Sequence, residues 1–85
     1  MDLVITRAQK DACLGAKHLP YVLKRVLDAA LPKGSDFVVH LTYEEATALN
    51  ELCSWNVHSD AAGNVTADSK LFDDLVRAII THPDY

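Results

Sequence analysis

A chain of 85 residues with 49% apolar and 24% charged side chains falls in the globular range and outside the disordered one. Its two cysteines, Cys13 and Cys53, supply neither several disulfides nor an established zinc pattern, so the usual staples of very small domains are excluded as a first reading. The net charge of −4 argues against a protein built to bind a polyanion.

There is no basic n-region at the start and no apolar run near the roughly 20 residues that span a bilayer. The expectation is therefore a cytoplasmic protein without a membrane segment, forming one domain over residues 1–85. A chain of this length buries only about 60 to 65% of the surface its unfolded form exposes, which makes oligomerisation the simplest supplement to its core.

In chain order, Leu3, Val4 and Ile5 read either as a short strand or as the apolar lead-in to a helix. Thr6 and Gln9 make a T-x-x-Q capping box, which starts a helix near Arg7. Ala12, Ala16, Leu19, Leu23, Val26 and Ala30 then recur at alternating four- and three-residue spacings, a seam that continues through Pro20. Leu19 is a poor N-cap for a new helix, so the seam predicts one long helix over residues 7–31, kinked between Gly15 and Pro20 and stopped by Pro32. Two separate helices are the alternative.

Gly34, Ser35 and Asp36 mark a turn, and Phe37, Val38 and Val39 open a short strand over residues 37–41. Thr42 and Glu45 form a second capping box, so a helix begins at Tyr43 with Ala46, Leu49, Leu52 and Cys53 on one face and Leu41 stapled against Ala46. The L-T-x-E-E-A-x-x-L pattern here suits any strand-to-helix junction and points to no family. Residues 54–68 read as a long connection in which 56–58 could pair with 64–66. Asp68 is the expected N-cap of a last helix with Phe72, Leu75, Val76, Ile79 and Ile80 on its face, ending at His82 before Pro83. The expected fold class is thus mainly α: a long kinked N-terminal helix, two further helices and one short strand.

Charge is divided unevenly, with six basic against three acidic residues in 1–35 and two basic against nine acidic residues in 36–85. Lys10, Lys17 and Lys24 recur every seven residues, and on a single helix they would form a stripe with Arg25 beside it. Such a stripe reads first as a solvated face, then as a contact for an acidic protein surface, and last as a phosphate-binding ridge.

Few residues suggest chemistry. Cys53, His58 and Asp60 lie within eight residues of one another, but Cys53 falls on an apolar helix face, where a buried thiol is inert. Asp60 to Asp68 does not keep the spacing of a calcium loop. His40 is placed on the solvent face of its strand, His18 on the polar side of the first helix, and His82 at a helix C-terminus, where it complements the dipole. No catalytic or metal residues and no cofactor are assigned. Trp55 reads as a lid over the core or, if exposed, as an anchor for a partner, and Leu14 and Tyr21 as apolar residues on the outer side of the first helix. Leu14, Tyr21 and Trp55 are the candidate interface. The function read from these features is a non-enzymatic protein-interaction module, homodimeric or bound to another protein. A small nucleic-acid-binding regulator using the basic first helix is the alternative, and a metal- or thiol-dependent enzyme comes third.

Overall fold

Both capping boxes form. Thr6 Oγ1 accepts from the Gln9 N–H at 3.1 Å while Gln9 Oε1 accepts from the Thr6 N–H at 2.9 Å, and Thr42 and Glu45 exchange the equivalent bonds at 3.1 and 2.8 Å. The structure, a computed structural model, describes residues 1–57 and 66–85. In order, the elements are β1 (Asp2–Thr6), α1 (Arg7–Leu14), α2 (Tyr21–Asp28), β2 (Leu31–Lys33), β3 (Asp36–His40), α3 (Tyr43–Trp55) and α4 (Ala67–Ile80). The strands form one antiparallel sheet in the order β1-β3-β2.

The architecture is mixed α/β, which corrects the mainly helical expectation in two places. The first is the long N-terminal helix, which does not exist. Gly15 ends α1, His18 takes a left-handed φ of 63°, and Pro20, at φ −66° and ψ 145°, stands before α2 as its N-cap. Proline has no N–H to continue the helix, but its carbonyl accepts from both Leu23 and Lys24 at 3.1 Å and so starts the next one. The turn is held from outside: the Lys17 N–H donates to Asn56 Oδ1 at 3.3 Å, and Asn56 Nδ2 donates to the Lys17 carbonyl at 3.4 Å. Of the anticipated seam Leu23 is fully buried and Ala12, Ala16, Leu19, Val26 and Ala30 are partly buried, while Cys13 and Leu27, beside the seam, are fully buried.

The second correction is the β content. Residues 2–6 are a strand, and α2 stops at Asp28, leaving Leu31–Lys33 to form another. Pro32 acts here through the residue before it, which it pushes toward extended angles. Lys33 faces Asp36 across a two-residue loop in which Gly34 has φ +62° and Ser35 does not, the arrangement of a type II′ hairpin turn.

Burial alternates along β1, with Leu3 and Ile5 in the core and Asp2, Val4 and Thr6 outside. Val39 of β3 pairs with Leu3 on the inner side, and Leu23, Leu27, Leu49, Leu75 and Ile79 from the helices complete the core. The α3 face is as expected, with Ala46, Leu49, Leu52 and Cys53 all buried. The start of α4 differs: Thr66, not Asp68, is the N-cap, accepting from the Ser69 N–H at 3.2 Å. Its face also differs at the far end, because Ile80, the last residue of α4, is 57% exposed, and the helix ends there with Thr81 as its C-cap and not at His82. The anticipated 56–58/64–66 hairpin lies outside the described residues.

These positions predict unequal costs for truncation. Leu49→Ala and Phe72→Ala should each lose about 2 to 5 kcal/mol of stability in urea unfolding, while Ile80→Ala should change it by no more than about 0.5 kcal/mol. Similar losses at all three sites would mean that the α4 face is misassigned.

Candidate interaction surface

The helices cover one side of the sheet, and the other side carries the residues that the alternation turns outward. Its rows follow from the register: Asp2 beside His40, then Val4, Val38 and Leu31, then Thr6, Asp36 and Lys33. Val4 is 50% exposed and Leu31 56%, so the middle row is an apolar stripe open to solvent. Both ends of the stripe carry an acid and a base, with Asp2 Oδ1 bonded to His40 Nδ1 at one end and Asp36 opposite Lys33 at the other.

The edges of the sheet are partly occupied, and the hydrogen-bond parity shows how. Met1 and Leu41 exchange both backbone bonds, so the bonded pairs are Leu3–Val39 and Ile5–Phe37, and Asp2, Val4 and Thr6 aim their backbone groups at the free edge of β1. His82 Nε2 donates to the Asp2 carbonyl at 2.8 Å, while the Asp84 N–H donates to His82 Nδ1 at 3.1 Å, which assigns the ring proton to Nε2. The Thr6 N–H is taken by Gln9. On the opposite edge Leu31 and Lys33 face β3, and the residue turned outward is Pro32, which has no N–H to offer. His82 therefore does more than complement a helix dipole: it occupies the Asp2 carbonyl at one end of the exposed strand.

A groove of about 330 Å³ continues this surface between α2, the end of β3 and the start of α3. His40 belongs to both the face and the groove, where Val22 and Val26 supply apolar wall and Arg25 and Glu45 opposite charges. Val22 is 49% exposed.

The residues singled out in the sequence are dispersed by the fold. Leu14 ends α1 and is half-buried against the core, while Tyr21 opens α2 and is 74% exposed, so they do not share a helix stripe. Trp55 is the last residue of α3 and is also 74% exposed, which removes the lid reading. It borders a cleft of about 190 Å³ with His18, Pro20 and Glu51. His18 is in the turn between helices and not on a helix face. The lysine stripe is broken as well: Lys10 of α1 lies over the Phe37 ring at 4.6 Å, Lys17 is in the turn, and Lys24 of α2 pairs with Asp28 at 3.1 Å. His58 and Asp60 lie outside the described residues. Among the described residues no cluster of three or more His, Cys, Asp or Glu is placed to hold a metal, and no helix is long and apolar enough to cross a membrane.

One pair was not legible from sequence spacing. Cys13 and Cys53 are both fully buried, and the Cys53 thiol donates to the Cys13 sulfur. That bond holds the Cys13 thiol below its ordinary value, against the upward push of burial, and raises Cys53 further above its own. No family model, curated protein or solved structure matches the chain.

The edge assignment carries its own test. His82→Ala should cost about 0.5 to 1.5 kcal/mol, as expected for one lost hydrogen bond, and should increase light scattering on gentle heating as the Asp2 carbonyl is freed. Unchanged stability together with unchanged scattering would show that His82 does not protect β1.

Proposed function

We propose that the protein is a non-enzymatic interaction module that self-associates through the open face of its sheet. The observation that carries this reading is the Val4–Val38–Leu31 stripe, an apolar row left in solvent on the side of the sheet away from the helices. The face and the adjoining groove are contiguous side-chain surfaces suited to association.

A second copy is favoured by charge. The chain carries −4, yet around the stripe and groove three acids, Asp2, Asp36 and Glu45, stand among the cations Lys33 and Arg25 and the His40 imidazole, a patch less acidic than the chain as a whole. A twofold axis lying across the strands would set each stripe on its equivalent and His40 of one copy over Asp36 of the other, so like charges need not meet. Size sets the affinity. Two five-residue strands and one of three residues project at most about 17 by 14 Å, far less than the roughly 800 Å² per partner of a standard interface. Even with the groove added, the dimer should be weak, with Kd on the order of 100 µM. The nucleic-acid alternative has lost the single-helix lysine stripe that supported it.

Sedimentation equilibrium should show a monomer–dimer equilibrium at roughly 500 µM, several-fold above that Kd. Val4→Glu or Leu31→Glu should give a monomer at the same concentration with an unchanged far-UV spectrum, since both side chains are outside the core. A wild-type monomer at that concentration, or a dimer insensitive to both substitutions, would overturn this reading.

A further inference from the structure

The cleft of about 190 Å³ beside Trp55 shares no residue with the sheet face or its groove. Ala48, Glu51, Leu52 and Trp55 follow the i, i+3, i+4, i+7 spacing that puts them on one face of α3, and the turn between α1 and α2 supplies the opposite wall through His18 and Pro20. That wall is already in place, because the two bonds between Lys17 and Asn56 hold the turn to the end of α3. Trp55, the single tryptophan of the chain, is 74% exposed, and Glu51 is exposed beside it. Among the described residues neither side chain has a hydrogen bond, an ion pair or a ring contact. The last turn of α3 has no basic residue, so the negative end of its dipole is not offset from within the helix. No lysine or arginine lines the cleft, and Lys17 lines the groove on the α4 side instead.

We propose that this cleft binds the side chain of an arginine presented by another polypeptide, with its guanidinium stacked on the Trp55 indole and hydrogen-bonded to the Glu51 carboxylate. The two residues are four apart on α3, neighbours with about 5 to 6 Å between their Cβ atoms, so one planar cation reaches both. Arginine is selected over lysine because a guanidinium can stack through its face and donate through its edge at once, whereas an ammonium is a compact and strongly hydrated point charge. Size points the same way. Small-molecule pockets start at about 300 Å³, and a cleft of about 190 Å³ takes one side chain, its methylenes lying against Pro20 and Ala48. A nucleic-acid base could also stack on the indole, but its phosphates would meet the like charge of Glu51 and of the helix C-terminus. A single contact of this kind is weak, with Kd on the order of a few millimolar, and would serve as the anchor of a longer peptide. The assignment is independent of self-association through the sheet.

The test titrates the full chain with the capped peptide acetyl-Gly-Arg-Gly-amide and follows the indole N–H resonance in proton–nitrogen correlation spectra, where a chain with one tryptophan gives one such signal. That resonance should shift and saturate by roughly 20 mM peptide. The same peptide with citrulline, which keeps the shape of arginine and loses its charge, should bind about tenfold more weakly, and the lysine peptide several-fold more weakly. Glu51→Gln should weaken the arginine peptide by about tenfold. Trp55→Ala, followed through the backbone amides of His18 and Glu51, should abolish the saturable shift. Both side chains are exposed, so the variants keep the fold. Val4→Glu, which removes the sheet contact, should bind the arginine peptide as the wild type does, and so separates this site from self-association. A shift that stays linear over that range, equal binding of the arginine peptide and its lysine or citrulline counterpart, or wild-type affinity in Glu51→Gln would each overturn the assignment.

Discussion

The antiparallel pairing of Asp2–Thr6 with Asp36–His40 is the contact on which the other elements depend. It joins the start of the chain to its middle across both α1 and α2, so those two helices must fold back over one side of the sheet. The register decides which side chains meet them. Leu3, Ile5 and Val39 go inward together, and a slip of one residue would replace them by Val4, Val38 and the polar Asp2 and His40. Because β3 is central, it carries the pairing of β2 as well, and its own end feeds α3 through the capping box at Thr42.

That arrangement also explains why a face remains open. Four helices suffice to cover one side of a three-stranded sheet, and a chain of 85 residues has nothing further among its described elements to lay on the other. The exposed stripe is the consequence of limited length and not of a local anomaly. Proteins with open sheets must also manage their edges, and here the means are a histidine from beyond α4, a glutamine shared with a helix cap, and a proline in the shortest strand. All three act on the backbone, leaving the side-chain surface of the sheet unobstructed. The open face gives the proposed self-association its direction.

The thiol pair lies on the opposite side of the molecule's logic, inside the core and away from the sheet face. Cys13 comes from the short α1, which is followed at once by a turn containing a left-handed residue and clamped to α3 through Asn56. The clamp ties the turn after α1 to the C-cap of α3.

What the sequence by itself determined were the features that a few neighbouring residues can decide. The two capping boxes and the buried face of α3 depend on side chains within one or two turns of each other, and hydroxyl, carboxamide and carboxylate groups at that spacing have their partners within reach. Residues 7–31 were misleading because a three-four apolar spacing describes α1 and α2 separately as well as it describes one kinked helix. What divides them is the bond pair between Lys17 and Asn56, thirty-nine residues away. Pro32 and Asp68 show the same limit: each is compatible with a helix end, and strand pairing or a neighbouring hydroxyl was needed to show which role it takes. The open stripe, the partly occupied edges and the thiol contact were decided by tertiary structure alone, since every one of them is a relation between residues that only β-pairing and helix packing place side by side.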